Sequence, residues 1–109
     1  SSLVDNYLLT VSLEGYLIVV EKNSGNILRV NDVFKDIKQK KRSKIKPTGF
    51  IVGLKNIYIS TNHGRLIVID FFTGQIIKTL KIDNEKISRP FVLNENLFVI
   101  KNNAIIKLN

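Results

Sequence analysis

Few residues in this sequence are equipped for chemistry, and their spacing limits what each can do. His63 is the one histidine, and cysteine is absent. With no thiolate, second imidazole or carboxylate cluster beside it, His63 lacks the partners that metal ligation or acid–base catalysis requires, and it reads as an exposed turn residue ahead of Gly64. Glu21 and Asp70 each close an apolar hexamer, Tyr16-Leu17-Ile18-Val19-Val20-Glu21 and Arg65-Leu66-Ile67-Val68-Ile69-Asp70. A carboxylate repeated at the end of matching strands is placed to cap backbone amides of the following turn rather than to act as a base. Glu14 and Asp83 have no matching acid elsewhere in the chain. Gly15, Gly25, Gly64 and Gly74 sit singly in separate turns; no GxGxxG or Gly-Lys-Ser run exists to cradle a phosphate.

The one segment with a chemical character of its own is basic. The formal net charge is +8. Much of it lies in Lys35, Lys38, Lys40, Lys41, Arg42, Lys44 and Lys46, opposed locally by Asp36 alone. Such a run is either a solvated linker or a docking surface for an acidic protein or anionic headgroups. We take Lys38, Lys40, Lys41, Arg42, Lys44 and Lys46 as the candidate docking residues. Nucleic acid is not expected as a partner, because no aromatic residues are interleaved with the charges to stack bases.

The elements that must carry these residues read as strands. The chain has 109 residues, 44% of them hydrophobic, enough for one domain and inconsistent with disorder. Ile, Val and Leu dominate, a bias toward sheet. No stretch reaches the about 18 apolar residues of a membrane helix, and Ser1-Ser2-Leu3 does not resemble the start of a signal peptide. Residues 56–81 form a unit of three strands around two turns, Asn62-His63-Gly64 and Phe72-Thr73-Gly74. Residues 5–30 repeat it: at one offset Gly15 falls on Gly64, Gly25 on Gly74, and the two hexamers coincide down to their closing acids. The turn before Gly15 is expected to be one residue longer. A third copy, from Asn96, replaces the His-Gly turn with Asn102-Asn103, asparagine being the next best residue for a left-handed backbone.

Pro47 and Pro90 each open a further strand, ahead of the second and third copies. The full unit is then four antiparallel strands in about 40 to 50 residues, the size of a propeller blade. The expected fold is all-β, a β-propeller fragment of about two and a half blades, with one complete blade. Its expected divisions are a blade at 1–34, a basic loop at 35–46, the complete blade at 47–82 and a partial last blade at 88–109. Within 31–46, Val33, Phe34 and Ile37 predict one helical turn with Asp32 as N-cap, followed by exposed loop.

The pattern of strand, glycine turn, apolar run ending in Asp, and Thr-Gly turn resembles the quinoprotein-like (PQQ) repeat; Gly64, Leu66, Ile69, Asp70, Thr73 and Gly74 carry the match. In order of elements the chain is further similar to the C-terminal blades of the BamB family, propeller lipoproteins of bacterial outer-membrane protein assembly. Ser12-Leu13-Glu14-Gly15-Tyr16-Leu17 and His63-Gly64-Arg65-Leu66 occupy its glycine turns, and a polar insertion precedes a Pro-containing strand. The resemblance implies a non-enzymatic scaffold at the periplasmic face of the outer membrane. The partner it implies is the barrel-forming insertase subunit, and membrane contact would come only through a lipid anchor outside this stretch.

The sequence departs from PQQ enzymes in two respects. Arg29 and Lys78 stand where such repeats carry a tryptophan, and tryptophan is absent, so contacts between blades must be aliphatic. There is also no carboxylate, Asn and Cys cluster of the kind that binds PQQ and calcium, so no cofactor is expected. A PQQ-dependent dehydrogenase fragment and a generic interaction module are the alternatives. Because about three repeats are needed for an array to be stable alone, the sequence implies either part of a longer chain or self-association of copies through uncovered blade faces.

Overall fold

A computed structural model describes residues 2–4 and 6–108. The expected boundaries at Ser1, Asp5 and Asn109 lie outside the described residues. Two compact units divide the chain, Ser1–Lys44 and Ile45–Asn109.

The first unit is a four-stranded antiparallel sheet in the order β1-β2-β3-β4, formed by Ser2–Val4, Tyr7–Val11, Tyr16–Glu21 and Ile27–Asp32. The sequence pattern predicts only one complete four-stranded sheet, at 47–82. The pairing of Ser2–Val4 with Tyr7–Leu9 gives the first unit a fourth strand as well. That strand is three residues long, too short for a hydrophobic period to announce it. Leu9, Leu17 and Val19 share one face and are buried, as the two-residue alternation of a strand requires.

The second unit holds two sheets. Pro47–Val52 (β5), Asn56–Thr61 (β6), Arg65–Asp70 (β7) and Ile76–Lys81 (β8) pair in chain order. Phe91–Leu93 (β9), Asn96–Lys101 (β10) and Ala104–Lys107 (β11) make a three-stranded sheet with β10 in the middle. Leu66 and Val68 of β7 pack against Leu97 of β10, flanked by Ile51, Tyr58, Leu80, Ile82 and Leu108. The aliphatic contact between sheets expected in place of tryptophan is therefore present in this unit.

Several backbone hydrogen bonds of the first sheet recur at matching positions of the second. Gly25 N–H donates to Glu21 O and Gly74 N–H to Asp70 O, both at 2.9 Å. Lys22 N–H donates to Asn6 O and Phe71 N–H to Lys55 O, both at 2.8 Å. Each third strand meets its fourth with a register shift at the matching place, Val19/Val20 and Val68/Ile69. Ser12 and Thr61 hold equivalent hydroxyls that accept from the amides of Tyr16 and Arg65, each at 3.1 Å. This corrects the expectation of a longer turn before Gly15. Val11 pairs with Leu17 as Ser60 pairs with Leu66, so the two turns have one length and Tyr7 to Val11 align with Asn56 to Ser60.

The turn glycines have two tasks. All four have positive φ, between 73° and 95°, a region that costs other residues free energy. Gly15 and Gly64 also let the chain leaving the sheet cross directly over them. Val33 N–H donates to Gly15 O at 2.9 Å and Ile82 N–H to Gly64 O at 2.8 Å. A Cβ on Gly15 would run into the Phe34 ring, and one on Gly64 into the Asp83 carbonyl. In the third sheet the hairpins use two-residue turns with both φ positive, Asn94-Glu95 (51° and 66°) and Asn102-Asn103 (49° and 64°). This is the primed geometry that matches strand twist, with asparagine in the role its sequence position predicts.

Candidate functional site

Helix formation in the basic segment differs from expectation. Residues 33–36 form a turn, and Asp32 Oδ1 accepts the Phe34 amide at 3.0 Å without starting a helix. Phe34 and Val33 are buried, so the apolar trio serves the core as a turn and its spacing does not become a helical face. The helix is the four-residue α1, Gln39–Arg42, inside the stretch read as loop. Its amides at Lys41 and Arg42 donate to Lys38 O at 2.9 and 3.0 Å.

Arg42 holds this segment to the first sheet. Its guanidinium makes a two-pronged contact with Asp32, Nη1 to Oδ2 at 2.7 Å and Nη2 to Oδ1 at 2.5 Å. The same group lies 5.5 Å from the centroid of the Tyr16 ring, within range of a cation–π attraction, and Nη2 reaches Glu14 O at 3.5 Å. Hydrogen bonding from Arg42 holds the Asp32 carboxyl below its usual range, against the opposing effect of burial. The same bond raises the Arg42 pKa. Planar, forked donors make arginine suited to this task where lysine would not be. Arg42 therefore anchors the segment, while Lys35, Lys38, Lys40, Lys41 and Lys44 are exposed around it. Lys46, also exposed, belongs to the second unit, where its backbone exchanges hydrogen bonds with Asn62 at 2.9 Å in both directions.

The anchor residues Tyr16 and Asp32 carry no functional signal in the sequence. They are direct cross-strand partners at the ends of β3 and β4, on strands that meet with a register shift at Val19/Val20, and strand pairing alone brings them together. Their equivalents in the second sheet, Arg65 and Lys81, carry no acid, so this anchor belongs to the first sheet only.

The remaining candidates fall into turns. His63 Nδ1 lies 2.9 Å from the neighbouring Asn62 Oδ1, and His63 is half-buried rather than exposed because Arg65, whose Nη1 donates to His63 O at 2.8 Å, folds back over the turn. Asp70 Oδ1 accepts the amides of Phe72 and Thr73, each at 2.9 Å. Glu21 Oε2 accepts both the amide and the hydroxyl of Ser24 at 2.6 Å; these bonds, the hydroxyl first, hold its pKa below the ordinary value. Both acids cap turns, as their repeated position implies. Asp83, which has no counterpart in the repeat, accepts its neighbour's amide and a weak 3.4 Å bond from Asn102 Nδ2. Among the described residues, no group of three or more His, Cys, Asp or Glu side chains is placed to hold a metal ion, and no helix is long and apolar enough to cross a membrane.

No protein-family model matches the sequence, and comparison with curated proteins gives no match. Solved structures do match. BamB from Moraxella catarrhalis superposes with a TM-score of 0.72 over 96% of this chain, at 16% identity. The fold is that of a β-propeller. The propeller domain of Cps50 (Swd1) from Myceliophteria thermophila matches at TM-score 0.70 over 88% of the chain, with 20% identity. The quinohemoprotein alcohol dehydrogenase ADHIIG from Pseudomonas putida HK5 matches at 0.67 over 89%, with 19% identity. The chain spans 29%, 32% and 15% of these three proteins respectively. Its sheets are thus propeller blades, and the resemblance to quinoprotein-like propellers read from the glycine turns extends to their three-dimensional fold.

Proposed function

We propose that this chain belongs to a non-enzymatic propeller scaffold that binds other proteins, working as BamB-like proteins do at the periplasmic face of the bacterial outer membrane. In that role it assists assembly and insertion of β-barrel proteins, and its partner is an acidic surface of the barrel-forming insertase subunit. The observation that carries the reading is the Arg42 anchor. A solvated linker has no need of a two-pronged ion pair and an aromatic shelf. A docking segment does, because fixing it beforehand lowers the entropy lost on binding. Rim charges of this kind act mainly on association rate and salt dependence.

The test is binding of the chain to the insertase subunit at low ionic strength, with Lys38, Lys40, Lys41 and Lys44 replaced together by Glu. Binding is expected to weaken strongly in the variant and, for the unaltered chain, to fall as salt rises. Equal binding by both proteins would remove the basic segment from the interface; no binding by either would remove the BamB-like reading. A quinone-dependent dehydrogenase is the second reading, supported by the likeness to ADHIIG, and calcium-dependent dye reduction by the full-length protein would favour it.

A further inference from the structure

The turns β5–β6 and β7–β8 lie side by side at one end of the second sheet, joined by the 2.8 Å bond from Phe71 N–H to Lys55 O. Each presents one large apolar side chain: Leu54 is 96% exposed and Phe72 71% exposed. Both turns belong to the second unit and connect strands that pair with each other. The repeat shows that the fold does not require apolar residues at these places. In the first sheet Lys22 and Asn23 hold the positions of Phe71 and Phe72, on a turn closed by the equivalent bonds from Lys22 N–H to Asn6 O and from Gly25 N–H to Glu21 O. In the third sheet the turn Asn94-Glu95 takes the place of Leu54-Lys55.

The backbone under both side chains is fixed. Asp70 Oδ1 accepts the amides of Phe72 and Thr73, each at 2.9 Å, and Gly53 N–H donates to Asn56 O at 2.8 Å across the base of the Leu54 turn. The Phe71 ring meets that of Phe72 edge-on, 5.3 Å between centroids. Lys55, beside Leu54, is exposed. Apolar anchors between proteins sit inside a surface whose surroundings close off water; here each stands on a turn tip of its own. Projecting tips of this kind fit a medium that deforms around them. In a bilayer interface, apolar and aromatic side chains reach below the headgroups while a long lysine stays among them. The formal net charge of +8 draws the chain to an anionic surface. We infer that Leu54 and Phe72 insert into the interface of a bilayer containing anionic phospholipid, with Lys55 at headgroup level. This contact is direct, made by the propeller itself, and is independent of the insertase as partner.

Tryptophan is absent from the sequence, so Phe72→Trp places a single reporter at the tip. With vesicles of mixed phosphatidylcholine and phosphatidylglycerol, its emission is expected to shift to the blue and to be quenched by lipids brominated on their acyl chains. Adding Leu54→Asn is expected to weaken vesicle binding about tenfold, as loss of one buried leucine side chain would. Raised salt is expected to weaken binding of both proteins without restoring exposure of the bound tryptophan to water. Emission unchanged by vesicles would overturn the inference and leave the turn tips to a protein partner. So would binding in which aqueous iodide, and not the brominated chains, quenches the tryptophan, since lysines alone would then hold the chain at the surface. Equal binding with and without Leu54→Asn would overturn it as well. Asparagine is the residue that the third sheet carries at the position of Leu54, so the turn has a precedent for it; far-UV circular dichroism checks that the strands remain, and Lys55→Gln, expected to weaken binding to the anionic vesicles, gives a second variant at the same tip.

Discussion

Gly64 is the most exacting position in the repeat, and alanine there separates two costs that usually come together. Its φ is +73°, and holding an L-residue in the left-handed region costs about 1–2 kcal/mol. Alanine also stiffens the unfolded chain, which offsets about 0.4–1 kcal/mol of that. Gly25 has φ +75° and open space around it, with no atom within 4 Å of the place a Cβ would take, so Gly25→Ala measures this backbone cost by itself, about 1 kcal/mol net. At Gly64 the added methyl would overlap the Asp83 carbonyl and stand 2.7 Å from Glu85 O. These are backbone atoms, held in place because Ile82 and Asp83 both donate to Gly64 O, at 2.8 and 3.1 Å. Forcing them apart adds about 1–3 kcal/mol, the range for overpacking. Gly64→Ala is therefore expected to cost about 2–4 kcal/mol in all, a large share of the about 5–15 kcal/mol that holds a typical domain folded. Urea unfolding followed by circular dichroism measures both variants, with the slope checked for constancy so that the midpoint shift reports stability. Equal shifts for Gly25→Ala and Gly64→Ala would refute the reasoning, since the crossing chain would then not be pressed against the turn.

Three further outcomes follow from the same structure. Asp32→Asn is expected to remove about 0.2–1 kcal/mol, the range for partly exposed ion pairs. Because the Asp32 pKa is lowered in the folded state, that contribution is complete above the unfolded value of about 3.9 and disappears as acid protonates the folded carboxyl, so the difference between the two proteins in urea should be present at pH 7 and vanish in strong acid. Leu66→Ala, at a side chain 1% exposed in the contact between sheets, is expected to cost about 2–5 kcal/mol in the same assay. Glu95→Gly is expected to stabilise by about 0.5 kcal/mol, because relief of the left-handed backbone at φ 66° outweighs the entropy glycine loses on folding; a drop in midpoint would contradict this.

Local chemistry determined most of the architecture. Alternating Ile and polar residues set the strands, and single glycines and the Asn102-Asn103 pair set turns whose positive φ values follow from the residue types. The repeated acids at Glu21 and Asp70 announced their capping bonds, because both the acid and the amides it binds lie within three residues. Interactions that join distant residues were not legible in this way. The three-residue strand Ser2–Val4 exists through its pairing with Tyr7–Leu9, not through a period of its own. The equal turn lengths before Gly15 and Gly64 emerged only from strand register.

The basic segment shows the same division. Its charge and its exposure could be read from composition, but six cations of similar spacing gave no reason to single out Arg42. Only the tertiary structure brings Tyr16 and Asp32 to adjacent positions on neighbouring strands and commits that one guanidinium to them, leaving the lysines outward. Which apolar faces are covered was likewise undecided by sequence, since a strand with two apolar sides specifies a pleat but not a neighbour. Packing chose the Leu97 side of the third sheet for burial against Leu66 and Val68.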